Sequence, residues 1–286
     1  MQNKVSKYYE FAGVKIVFTG PEFEECGNIK KFQVEPCGTD LSYDVSFRKI
    51  IEPVDGEKVH SDKGREYYIQ NNEKIWTMRH HVTKEIVMMN RQKSEKEHEV
   101  FFLDKYPKAW GEAMVLKIMD LPEKIVHYQG IFLHTSFVVW NGQAILFSGQ
   151  KQIGKSTQAD LWCKEKNTKI ANGDRAILRM LNGKWYACGS TYCGTSDICE
   201  NINVPVRCIV ILEQGTENTV EEAGEKDAMI SLLKNCSYNT WDREQMEMVL
   251  NLTGQICREI PFVKLSCLPD KSAVIALEEY LCQSRM

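Results

Sequence analysis

The stretch richest in chemistry is Gly149-Gln150-Lys151-Gln152-Ile153-Gly154-Lys155-Ser156-Thr157. It spells G-x-x-x-x-G-K-[ST], the Walker A or phosphate-loop pattern, which is meaningful only between a strand and a helix. Both are predicted here. The apolar run Ala144-Ile145-Leu146-Phe147 leads in, and Gln158-Ala159-Asp160-Leu161-Trp162 continues with helical character. Gly149 and Gly154 let the backbone turn where a Cβ would clash, so successive N–H groups face phosphate oxygens. The helix opening near Lys155 adds the positive end of its dipole. Lys155 is placed to reach the β- and γ-phosphates and the Ser156 hydroxyl to reach Mg²⁺, so ATP and Mg²⁺ are the expected cofactors. The loop's middle, Gln150 to Ile153, holds no small residue. Its side chains are expected to point outward while the backbone cradles phosphate, with Lys151 solvated.

The elements that must position this loop follow from pattern. Gly130–Trp140 and Gln143–Phe147 are two apolar runs joined by Asn141-Gly142, a strong hairpin signal. The second of these strands delivers the phosphate loop. After the helix, Lys169-Ile170-Ala171-Asn172-Gly173-Asp174-Arg175 reads as a short strand whose end carries an acid. Asp174 there would contact a metal or accept a hydroxyl proton; a turn aspartate is the plainer alternative. Arg175 would stabilise developing phosphoryl charge, or would simply lie on the surface. A second hairpin turns at Asn182-Gly183, and residues 189–203 form a polar loop expected over the site, with Gly194-Thr195-Ser196 and Asp197 facing an acceptor. Val206–Leu212 is a buried strand ending at Glu213, read as an exposed turn residue. Helices over 225–233, 242–257 and 273–281 and a strand over 262–267 complete this half.

Composition excludes several classes. The 286 residues hold 36 Lys and Arg against 39 Asp and Glu, a net charge of −3, so no basic excess points to nucleic acid. No apolar run approaches the ~20 residues of a membrane span. Met1 to Lys7 lacks the apolar core of a signal peptide. The eleven cysteines, Cys26 among them, contain no C-x-x-C pair, and Cys188, Cys193 and Cys199 are irregularly spaced, so zinc is not expected. A reduced, cytoplasmic protein is the expectation. Residues 1–124 form a β-rich region without a motif. Its adjacent His80 and His81 are read as facing opposite sides of a strand, and its charged stretch 90–99 as a solvated loop.

From Leu133-His134-Thr135-Ser136 through the phosphate loop to Asn172-Gly173-Asp174-Arg175, the chain resembles the HPr kinase/phosphorylase-like branch of the PEP-carboxykinase-like P-loop fold. That branch includes the serine kinases of lasso-peptide clusters. The resemblance covers residues 125–286. It implies an α/β (α+β) fold: a P-loop core of mixed sheet with flanking helices, beside the β-rich N-terminal region. It also implies that His134 lines the active site and that the acid after the next strand holds Mg²⁺ and deprotonates a serine hydroxyl. Gly173 stands where the family's first aspartate would be, so Asp174 must serve alone. The implied activity is transfer of the γ-phosphoryl group of ATP to a serine-type hydroxyl of a peptide or small-protein acceptor. The other readings are a non-catalytic nucleotide-binding module of regulatory or scaffold type and, third, a carboxykinase-type lyase. Nucleic acid and membrane are not expected partners; a homo-oligomer is left open.

Overall fold

The computed structural model describes residues 4–25, 27–62, 64–107 and 110–283. Cys26 and Met1 to Asn3, used above, lie outside the described residues. The chain divides into two compact units, Met1–Asp120 and Leu121–Met286. Among the described residues no helix is long and apolar enough to cross a membrane.

The first unit contains strands β1 (Lys4–Phe11), β2 (Val14–Pro21), β3 (Gln33–Val34), β4 (Leu41–Arg48), β5 (Glu57–Asp62), β6 (Arg65–Gln70), β7 (Glu73–Arg79), β8 (Ile86–Gln92) and β9 (Glu97–Leu103), then helix α1 (Glu112–Met119). They make one mixed sheet in the order β3-β1-β2-β4-β9-β8-β7-β6-β5. Period-two alternation buries Val14, Ile16 and Phe18 along β2. Stacking of Phe18 on Tyr43 and Tyr43 on His98, with ring centroids 4.6 Å apart in each pair, continues this face across neighbouring strands. Two readings are corrected here. The stretch 90–99 is a β8–β9 hairpin, not a loop. Its charged residues alternate with buried Asn90 and His98, which bond each other at 3.0 Å. His80 and His81 follow β7 in a turn, their rings 4.8 Å apart, because His80 Nδ1 accepts the Thr83 N–H and its ring stacks on Tyr106.

The second unit contains α2 (Leu121–Lys124), β10 (Gly130–Trp140), β11 (Gln143–Ser148), α3 (Lys155–Lys166), β12 (Lys169–Asn172), β13 (Arg175–Leu181), β14 (Lys184–Cys188), β15 (Asn203–Gln214), β16 (Thr219–Glu222), α4 (Glu225–Asn235), β17 (Cys236–Ser237), α5 (Arg243–Glu259), β18 (Phe262–Cys267) and α6 (Lys271–Gln283). The architecture is the expected mixed α/β one. The strand order is β11-β10-β13-β14-β15-β18-β16, with β12 and β17 on β10 and an added parallel pairing of β11 with β15. Two long strands change partners along their length. Residues 130–134 of β10 pair with β13 and 135–140 with β11, while β15 passes from β14 to β11 and β18. The Asn141-Gly142 hairpin closes with φ of 49° and 75°, and Asn182-Gly183 repeats those values.

Helices cover both sides of this sheet. Ala228, Leu232 and Ile256 of α4 and α5 pack with Phe137, Leu146 and Ile209. Trp162 and Ala159 of α3 and Leu277 of α6 pack with Ile145, Phe147 and Val210. Burial of these alternating strand positions on both faces fixes where β11 ends and α3 begins. The loop between them is thereby held at the C-terminal end of parallel strands, where open α/β sheets bind ligands.

Candidate active site

Gly149 leaves β11 at φ +149°, and a Cβ there would lie 3.1 Å from Ile153 Cγ2 and 3.3 Å from the Leu212 carbonyl oxygen. Gly154 starts α3 at φ +112°, a conformation that favours glycine, and a Cβ on it would point into open space. Between them Gln150, Lys151 and Gln152 are exposed, as expected, and Ile153 turns inward against the α3-side core. Ile153 anchors the loop from beneath and leaves its outer side clear. Gln152 holds φ +66° without being glycine, a local strain at the loop tip.

Lys155 is buried, and its Nζ donates to the carbonyl oxygens of Gly149 and Gln150, both at 3.0 Å. Burial pulls its pKa down, while the negative charge of Asp174 acts in the opposite direction. Ser156 and Thr157 are exposed on the first turn of α3. No acidic residue occupies that turn, which keeps the helix N-terminus positive.

Asp174 follows the end of β12. His134 Nε2 lies 3.3 Å from its Oδ1 and Arg175 Nε 3.4 Å from its Oδ2. The His134 contact is the main cause of a lowered Asp174 pKa; the charges of Arg175 and Lys155 add to it and partial burial opposes it. Arg175 also donates from Nη1 to Ser237 Oγ at 3.3 Å, which ties it to β17. The carboxylate is thus held anionic beside three cationic or basic groups.

The backbone around Asp174 is over-determined. Thr135 donates its N–H to the Asp174 carbonyl at 2.9 Å, and Ser136 Oγ donates to the Gly173 carbonyl at 2.7 Å. Residues 189–203 pack on this turn as expected. Gly173 N–H bonds the Ile198 carbonyl at 3.1 Å, Glu200 N–H the Ala171 carbonyl at 2.8 Å, and Ser196 crowds Gly173. A Cβ on Gly173 would meet Ser196 Oγ at 2.1 Å, so that hydroxyl fills the space of a side chain at 173. Thr195, Ser196 and Asp197 are exposed, while Glu213 is exposed near Lys264 rather than at this turn.

The structure therefore brings Lys155, Asp174, His134 and Arg175 into one neighbourhood with the loop Gly149–Thr157. The pattern reading passed over Asn172 and Ser190, which support Asp174, and read Gly194 as facing an acceptor, whereas it lies against the Asp174 side chain. An asparagine two residues before a turn carboxylate is an Asx-turn signal that could have flagged the first.

The residues present fit a magnesium nucleotide. The two loop glycines take the positive φ such a loop needs, Lys155 lies against the loop carbonyls, and the Ser156 hydroxyl and the Asp174 carboxylate are hard oxygen donors. Among the described residues no three His, Cys, Asp or Glu side chains converge to hold a metal by themselves. Ser156 and Asp174 are the residues that would hold a Mg²⁺ brought in with a nucleotide.

No curated protein matches this sequence. Among solved structures, the Hpr(Ser) kinase/phosphatase from Coxiella burnetii matches at 13% identity and a TM-score of 0.30, over 53% of this chain and 88% of its own. The likeness is a distant one. The model of the family described as SynChlorMet cassette protein ScmC matches residues 112–267, more than half of the chain, and the chain belongs to that family.

Proposed function

We propose that residues 121–286 bind ATP with Mg²⁺ and transfer its γ-phosphoryl group to a serine-type hydroxyl of a peptide or small protein. The observation that carries this reading is the loop Gly149–Thr157 between β11 and α3, with Lys155 Nζ bonded to the Gly149 and Gln150 carbonyls and the His134–Asp174–Arg175 cluster at the end of β12. Phosphoryl transfer asks the protein mainly to hold phosphates, neutralise charge and place an acceptor in line. When bound, Mg²⁺ would supply Lewis-acid neutralisation of the charge that develops on the phosphates. The loop amides and Lys155 hold the phosphates, and Ser156 and Asp174 hold the metal. A carboxylate with a lowered pKa is a weak base, which suits metal holding and orientation of the acceptor hydroxyl better than full proton abstraction. His134, bonded to that carboxylate, is placed to pass a proton on. Arg175 adds positive charge at the same edge.

The test is transfer from labelled ATP to serine-containing peptides. Wild type should label an acceptor, and Lys155→Ala should lose about a hundredfold or more of the rate. Equal labelling by both proteins would end this reading. The alternative is a nucleotide-binding module without catalysis. It is favoured by the single acid, with Ser196 Oγ in the space above Gly173, and it predicts binding without turnover.

A further inference from the structure

We infer that Asn172 and Gly194 are positioning residues that clamp Asp174 beside Lys155 and His134. The inference rests on the magnesium-nucleotide reading and adds which residues aim the carboxylate of that site.

Asn172 ends β12 and is fully buried. Its Oδ1 accepts two backbone N–H groups, from Asp174 at 3.0 Å and from Arg175 at 2.8 Å. Its Nδ2 donates to the Ser190 carbonyl at 2.7 Å. One side chain thus shapes the turn that aims the carboxylate and ties it to the loop that follows β14. Ser190 reinforces the tie, its Oγ donating to the Arg175 carbonyl at 2.8 Å. Alanine at 172 would strip all three partners at once and leave them facing an interior that cannot replace them.

Gly194 is the second, independent contact. It holds φ +60°, and a Cβ there would stand 2.9 Å from both Cβ and Cγ of Asp174 and 3.1 Å from its Oδ1. No side chain larger than hydrogen fits without moving the carboxylate. The pairing of Asn172 with Cys199 joins the segment beyond Gly194 to the same turn. Among the described residues no hydrogen bond joins either Asn172 or Gly194 to the loop Gly149–Thr157. Their loss should therefore misplace Asp174 while the phosphate cradle stays intact.

The full chain and its Asn172→Ala, Gly194→Ala and Asp174→Asn variants are compared in two measurements: Mg²⁺-dependent ATP hydrolysis, with water as the acceptor, and calorimetric titration with Mg·ATP. Turnover at saturating Mg·ATP should fall about ten- to hundredfold in the Asn172 and Gly194 variants, and their Kd for Mg·ATP should rise no further than it does in Asp174→Asn, which removes the carboxylate itself. Gly194 lies on an exposed loop, so its variant reports even where Asn172→Ala fails to fold. Unchanged turnover in Gly194→Ala, or a loss of Mg·ATP affinity larger than that of Asp174→Asn, would overturn the inference alone. A wild type that binds Mg·ATP without turnover would overturn it and leave the non-catalytic reading standing. A wild type that binds no Mg·ATP would remove both.

Discussion

The two units use their polar side chains in opposite ways. In Met1–Asp120 charged residues pair near water along strands and the turns beside them: Arg79 with Glu66 at 2.6 Å, Lys93 with Glu73 at 2.7 Å, Lys105 with Glu85 at 2.5 Å. Its buried Asn90 and His98 bond each other across a hairpin. In Leu121–Met286 the buried polar groups Thr135, Ser136, Asn172, Ser190 and Lys155 instead gather where β11 and β12 end. Burying polar groups costs stability unless each is bonded. A concentration of them at one sheet end, around a carboxylate and a lysine, marks that end as the chemical one. The first unit shows the ordinary solution, with charges left near water and an apolar face.

Core truncations should break this comparison if it is mistaken. Trp162→Ala, in the α3-side core that Ile153 also enters, and Phe18→Ala, in the first unit's aromatic stack, are both fully buried changes or nearly so. Each should destabilise the unit that contains it by about 3–5 kcal/mol in denaturant melts. Only Trp162→Ala should also weaken Mg·ATP binding, because only it disturbs the core that Ile153 of the loop packs against. Loss of ATP binding in Phe18→Ala with retention in Trp162→Ala would reverse the assignment.

A pH experiment sharpens it. The folded pKa of Asp174 lies below the unfolded value of about 3.9. Its contribution to stability is therefore complete above that value and disappears as the pH falls through the lower folded one. The melting temperature of wild type should drop more steeply below about pH 4 than that of Asp174→Asn. Parallel curves would show that the His134 contact does not hold the carboxylate. The smallest effect is expected at the exposed pair of the first unit, where Arg79→Ala should cost about 0.2–1 kcal/mol and should leave ATP binding alone.

Much of the site's frame was legible because it rests on local rules. The Asn141-Gly142 and Asn182-Gly183 turns demand positive φ at both positions, so the hairpins could be read directly. Gly149 and Gly154 punctuate a strand and a helix, and Asp242 caps α5 by accepting the Gln245 N–H at 3.1 Å. What stayed hidden depends on distant partners. The β8–β9 hairpin looked like a charged loop because two of its inward positions are Asn90 and His98, polar residues that are tolerable in a core only once paired with each other. Asn172 looked like a turn residue because its third partner, the Ser190 carbonyl, lies 18 positions along the chain. The inward turn of Ile153, a side chain expected to point outward, was hidden for a similar reason. Ile153 has a core to enter, which the sequence of the loop alone does not display.

The central claim is that the backbone between Gly149 and Ser156, with Lys155, forms a site for a triphosphate chain. Calorimetric titration of Mg·ATP into wild type and Lys155→Ala measures this with no acceptor needed. Wild type should bind one equivalent, and the variant should bind at least about tenfold more weakly, the loss of one charge-assisted contact. No binding to wild type, or equal binding to both, would contradict the account.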